Sequence, residues 1–209
     1  AINEIRNKSN SSSLGVNLIV NKSNPKLKVQ LESCIKLKVD FIITSLGSPE
    51  EVINKCKPYG IKVFCDVVEE TYAKKVTELG ADAVIAVNKN AGGHAGNLSS
   101  KELFSCIHNV CDIPIISAGG IGDKSGVDEK LSEGFSGLSI GSPFIACEEA
   151  GISEEYKRAC VDYGENDIVM TTKISGTPCT VINTPYVQQV GTEQNWLEKM
   201  MSKNKKIKK

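Results

Sequence analysis

The sequence predicts an α/β fold wound from consecutive strand–helix units, a (β/α)8 barrel of which about six units are visible, followed by a small C-terminal lid. Three observations carry that prediction. Short, continuous β-branched runs recur every ~20–30 residues, the pitch of successive βα units in a parallel sheet. The stretches between them are amphipathic and bear helix start and stop residues. Glycines crowd after the last three runs rather than after the first.

The runs are residues 15–20 (GVNLIV), 41–44 (FIIT), 61–65 (IKVFC), 83–87 (AVIAV), 113–117 (IPIIS) and 137–140 (GLSI). Apolar runs without polar alternation are what strands covered on both faces require. The polar start, residues 1–13, reads as a helix or loop leading into what would be the third strand of a full barrel. Ser48, Pro49, Glu50 and Glu51 supply a cap, a first-turn proline and two acids at a helix start, and Tyr59 and Gly60 close that helix. Residues 69–79 form the next helix, ended by Gly80, and the sequence Ser99-Ser100-Lys101-Glu102 opens another. Beyond Gly151 the pattern changes to a helix over 154–162, a strand over 168–172, a turn-rich stretch and a closing helix over 193–203. The division is therefore residues 1–150 as the barrel, short of its first two βα units, and residues 151–209 as a lid or subdomain with a basic tail.

Composition narrows the function classes. With 209 residues, 40% hydrophobic and 24% charged, the chain suits one substantial domain. Lys+Arg and Asp+Glu balance at 25 each, so no global field selects nucleic acid or an acidic substrate. The basic excess is confined to Lys203, Lys205, Lys206, Lys208 and Lys209, read as a solvated tail. No apolar run approaches the ~20 residues that span a bilayer, and no membrane partner is expected. The 8 cysteines are scattered singly among apolar neighbours, without a C-x-x-C pair, as small hydrophobes of a reducing, cytoplasmic compartment. With 2 histidines, no metal site is expected.

Six βα units fit either an open doubly wound sheet or a closed barrel. A dinucleotide fold carries its glycine fingerprint after the first strand, where this chain has Asn21-Lys22-Ser23-Asn24-Pro25. The late glycines favour a barrel, which binds phosphate after its last strands. One such loop is Ser117-Ala118-Gly119-Gly120-Ile121-Gly122, where small residues and a following helix N-terminus suit an anion. A second is Gly141-Ser142-Pro143-Phe144, in which Gly141 permits close approach and Ser142 can cap the helix or donate to phosphate. A third, residues 88–97, carries His94 between Gly92-Gly93 and Ala95-Gly96. An imidazole held over a pocket can take or hold a substrate proton. His108, within a helical stretch, reads as structural.

Gly-Gly-His after one strand, Ala-Gly-Gly-Ile after the next and Ile-Gly-Ser-Pro-Phe after the last resemble the nitronate monooxygenases, formerly 2-nitropropane dioxygenases, a TIM-type barrel family. The flavin-dependent enoyl-acyl carrier protein reductases share these motifs. The resemblance runs from about Gly15 to the Trp196 region. It implies one FMN per barrel, its phosphate on Ala118, Gly119 and Gly120 and on Gly141 and Ser142. It further implies that Asn17, ending the first visible strand, contacts the flavin, that Asn88 stands near the family's flavin-contacting Gln, that Gly92 and Gly93 lie against the ring, and that His94 is the active-site base. The family's first two βα units have no counterpart here, and unpaired sheet edges are the expected consequence.

The activity so implied is FMN-dependent oxidation of alkyl nitronates by dioxygen to carbonyl compounds and nitrite, without NAD(P)H. Nitronate or nitroalkane and dioxygen would be the small-molecule partners, and a homodimer is the assembly such a barrel could form. Ile174, Val181 and Ile182 of the lid would limit substrate size. One alternative is an NAD(P)H-dependent enoyl-acyl carrier protein reductase. Another, of a different class, is a flavin-free barrel for a phosphorylated metabolite, or an inactive fragment. An isomerase of that kind needs acid–base groups at strand ends, and Asp66 and Lys89 form no recognisable pair.

Overall fold

The computed structural model describes residues 2–9, 12–22, 24–174 and 176–203. After a leading helix α1 (Ile2–Lys8) the chain runs β1 (Gly15–Ile19), α2 (Leu27–Lys36), β2 (Phe41–Ser45), α3 (Glu50–Cys56), β3 (Lys62–Val67), α4 (Glu70–Glu78) and β4 (Ala83–Val87). It continues through a two-residue β5 (Gly93–His94), α5 (Ser100–His108), β6 (Ile115–Ala118), α6 (Lys124–Ser132) and β7 (Gly137–Ser139). Then come α7 (Glu154–Asp162), β8 (Ile168–Thr171), β9 (Cys179–Ile182), α8 (Pro185–Val190) and α9 (Trp196–Lys203).

The six predicted runs all form strands, joined in parallel in the order β1-β2-β3-β4-β6-β7. The sheet curls as a half-barrel with β1 and β7 at its ends. Its outer face packs on the helices through one continuous core: Leu18, Ile42, Val63, Cys65, Val84 and Ala86 from the strands meet Leu31, Val52, Val76, Leu103 and Ile107 from α2 to α5. Burial pushes the Cys56 and Cys65 thiols up to about 11, so both serve as packing rather than as nucleophiles.

Strand burial departs from the expectation of two covered faces. Only β4 is buried at every position, whereas β2, and β3 after its exposed Lys62, alternate between buried and half-buried. The half-buried positions, among them Ile43, Phe64 and Ile116, face the concave side, where a smaller cluster of Ile85, Val87 and Ala91 forms the floor. An open half-barrel leaves that face partly accessible.

Local signals explain the element ends. The backbone after α3 turns through Gly60 at φ 69°, and Gly80 closes α4 at φ 91°. Ser99 opens α5 with a reciprocal capping box to Glu102. The expected Ser48 cap is absent: Pro49 occupies the N-cap of α3 without a side-chain bond, and Glu50 and Glu51 remain in the first turn. The turn-rich stretch contains α8, capped by Thr184, and the closing helix starts at Trp196 instead of residue 193. Lys205, Lys206, Lys208 and Lys209 of the basic tail lie outside the described residues. Among the described residues no helix is long and apolar enough to cross a membrane.

Candidate active site

The three glycine loops follow β4, β6 and β7, which are neighbours in the sheet, so they leave it at one end. Their contacts are close. Gly119 has φ 109°, and a Cβ there would lie 2.5 Å from the Ala91 amide nitrogen and 2.6 Å from Asn88 Oδ1. Gly120, at φ 71°, donates its N–H to the Asn90 carbonyl at 3.2 Å. A Cβ on Gly92 would sit 2.6 Å from Ser142 Oγ. The histidine loop thus touches both other loops.

Asn88 is buried and joins two of them. Its Nδ2 donates to the Gly119 carbonyl at 3.0 Å and its Oδ1 accepts from the Asn90 amide at 2.8 Å. Both ends of the carboxamide are therefore committed, which makes Asn88 foremost a tie between loops.

Several N–H groups here are unspent. The backbone amides of Gly119, Ile121, Gly122 and Gly141 find no hydrogen-bond partner among the described residues. No heavy atom lies within 4 Å of a Cβ placed on Gly141 or Gly122. Unpaired amides on adjacent loops beside open space fit a phosphate-bearing ligand. Two details differ from expectation. The N-terminus of α6 is already capped by the Asp123 carboxylate, which accepts from Gly126 N–H at 2.8 Å and offsets the positive pole. Residues 142–146 form a 3-10 turn without a side-chain cap, so the Ser142 hydroxyl, exposed, caps nothing.

His94 lies on a strand where a loop was expected. Gly93 pairs with Thr180 and His94 with Cys179, giving a three-stranded antiparallel sheet in the order β5-β9-β8. Thr180 Oγ1 also donates to the Ala91 carbonyl at 2.7 Å, and its second acceptor, the Gly93 carbonyl, lies at 3.4 Å. The C-terminal segment therefore holds the histidine in place. The imidazole is exposed and finds no hydrogen-bond partner among the described residues. Val181 and Ile182 continue β9 half-buried, while Ile174 is exposed.

Asn17 stands in the middle of β1 instead of at its end, on the concave face. It belongs to a polar row missed in the sequence: Ser45 Oγ lies 3.0 Å from Asn17 Oδ1 and 2.6 Å from Asp66 Oδ2. Burial pushes the Asp66 pKa up, and the Ser45 hydrogen bond pulls it partly back. The readable signal was a polar residue at a concave-facing position of an otherwise apolar strand. A separate shallow cleft, lined by Glu148, Glu154, Lys157 and Arg158, contains none of the glycine loops.

A parallel half-barrel with glycine loops gathered at the carboxyl ends of its late strands belongs to the α/β-barrel class. The chain belongs to the nitronate monooxygenase family, whose sequence model matches residues 3–209. It is 30% identical over 176 residues to a (3aS,4S,5R,7aS)-5-hydroxy-7a-methyl-1-oxo-octahydro-1H-indene-4-carboxyl-CoA dehydrogenase of Rhodococcus jostii, covering 84% of this chain and 49% of the relative. It is 27% identical to a probable nitronate monooxygenase of Staphylococcus aureus, covering 79% of this chain and 50% of that protein. FabK from Thermotoga maritima, a solved barrel, superposes with a TM-score of 0.83 at 32% identity, over 91% of this chain and 60% of its own. The chain spans about half the length of the curated relatives it matches.

Proposed function

We propose that this chain carries the cofactor-phosphate and proton-handling part of an FMN-dependent oxidoreductase acting on alkyl nitronates with dioxygen, yielding a carbonyl compound and nitrite. The observation that carries the reading is the meeting of three glycine loops with unpaired amides, one of which leads directly into an exposed histidine. The amides of Gly119, Ile121 and Gly141 and the Ser142 hydroxyl would hold the phosphate, with Ala118 and Gly120 shaping the approach. Gly93, with nothing near its Cβ position, would leave room for a flat ring, Gly92 lets the loop close against Ser142, and Asn17 would face the ring from the concave side. When bound, FMN supplies reversible electron acceptance. His94 would remove the α-proton of a neutral nitroalkane, or hold the anion already formed. Val181 and Ile182 would bound the substrate. We place the protein in a reducing, cytoplasmic setting, consistent with eight free thiols.

A yellow preparation absorbing at roughly 450 nm tests the cofactor. Nitrite release from pre-formed nitronates in air, without NADH, tests the reaction. A second reading, NAD(P)H-dependent reduction of an enoyl thioester, is favoured by the likeness to FabK and to a dehydrogenase whose name specifies a CoA derivative. NADH oxidation driven by a crotonyl thioester would select it.

A further inference from the structure

The polar chain Asn17–Ser45–Asp66 crosses three adjacent strands on the concave face and holds a conflict that either a proton or a turned carboxamide resolves. Ser45 Oγ is within hydrogen-bond distance of two oxygens, Asp66 Oδ2 at 2.6 Å and Asn17 Oδ1 at 3.0 Å. A hydroxyl has one hydrogen and cannot donate to both. Two arrangements satisfy all three groups. If Asp66 is protonated, it donates to Ser45, Ser45 donates to Asn17 Oδ1, and the Asn17 NH2 is left facing the open side. If Asp66 is ionised, Ser45 donates to it, and the Asn17 carboxamide must turn over so that its NH2 donates to Ser45. The carbonyl oxygen then faces outward.

The surroundings make the choice sensitive. Asp66 is half-buried, and Ser45 supplies its one side-chain hydrogen bond among the described residues. Neighbours in its row are Ile19 on β1 and Ile85 on β4, both apolar. The titratable groups that feel its charge are Tyr72 of α4 and Cys65, its neighbour on β3, and neither is a cation. Lys89, on the loop after β4, and His94, on β5, form no ion pair with it among the described residues. Burial without a cation pushes its pKa up.

We propose that Asp66 is a positioning residue of the flavin site: acting through Ser45, it decides whether Asn17 offers its NH2 or its carbonyl to a bound ring. The inference rests on the FMN reading. The pyrimidine edge of an isoalloxazine carries two carbonyl oxygens and one N–H, so the NH2-outward arrangement has more partners. Affinity should therefore be highest while Asp66 is protonated and fall as pH rises through its raised pKa.

The test is a fluorescence titration of FMN into the apoprotein of the complete protein, from about pH 5 to about pH 9, for wild type, Asp66→Asn and Ser45→Ala, with melting temperatures alongside. The carboxamide introduced by Asp66→Asn can donate to Ser45 or accept from it but does not titrate, so this variant should show no pH step of its own at position 66. The ratio of wild-type to D66N dissociation constants should rise by roughly tenfold across the titration of Asp66. The ratio also cancels the titration of the FMN phosphate itself. Ser45→Ala cuts the relay while leaving the carboxylate, and should lose the step. A step that persists in Ser45→Ala would mean that the charge acts directly, and would overturn the relay. A ratio that stays flat with FMN bound would overturn the role of Asp66 alone. Should D66N fail to fold, Ser45→Ala against wild type decides by the same criterion. If wild type binds no FMN at any pH, the cofactor reading falls, and this inference with it.

Discussion

Replacing Gly119 with Ala tests the geometry that brings the loops together. Its φ of 109° lies where side chains are strained, at a cost of about 1–3 kcal/mol. The new methyl would lie 2.5 Å from the Ala91 nitrogen and 2.8 Å from its Cα, both backbone atoms that cannot swing aside. Overpacking of this kind costs about 1–3 kcal/mol. If the loops separate to relieve it, the Asn88–Gly119 hydrogen bond is lost, at about 1 kcal/mol. The sum is about 3–7 kcal/mol, which at ~2–4 °C per kcal/mol lowers the melting temperature by roughly 6–28 °C. Gly122→Ala is the control: its Cβ meets nothing within 4 Å and its φ is not positive, so its melting temperature should hold or rise. Calorimetry on the two variants makes the comparison. A Gly119→Ala protein melting within ~2 °C of wild type, with unchanged FMN content, would refute the close approach of the loops.

Gly120→Asp places a carboxylate beside the proposed phosphate and should weaken FMN retention by roughly a hundredfold or more, read as flavin-to-protein stoichiometry after purification. His94→Asn should slow turnover of neutral nitroalkanes by roughly 10²–10⁴-fold while sparing pre-formed nitronates. Because the imidazole is exposed, the melting temperature should move by less than about 1–2 °C, and a large fall would make it structural. Thr180→Val removes the 2.7 Å bond to the Ala91 carbonyl, and hydrogen exchange should quicken over residues 91–95. Unchanged exchange there would show that β9 does not hold the loop.

What could be read from the sequence follows from the range of each interaction. The six parallel strands were legible because each apolar run is its own signal, and Gly60, Gly80 and Ser99 mark element ends locally. The meeting of the Gly119, Gly141 and His94 loops was legible because successive barrel strands are neighbours. The antiparallel pairing of Gly93–His94 with β9 was not, since two residues carry no periodicity and their partners lie far along the chain. The Asn17–Ser45–Asp66 contact escaped for a similar reason: each residue is ordinary on its own strand, and Asn17 meets Ser45 only diagonally, two residues from its register partner. Thr184-Pro185 was a readable helix start that a turn-rich surrounding concealed.

The pairing of β5 with β9 also imposes an order of assembly. The bond from Thr180 to the Ala91 carbonyl spans 89 positions, whereas each parallel strand pairs with one that precedes or follows it as the nearest member of the sheet. A growing chain can lay down β1 to β7 against α2 to α6 while residues 179–182 have yet to be made, because those contacts close shorter loops. The segment around His94 must then wait, unpaired, for the far end of the chain. The proposed role of His94 would be acquired last, after the sheet is already compact, and a chain cut short near Gly151 would keep its six parallel strands while lacking a set histidine.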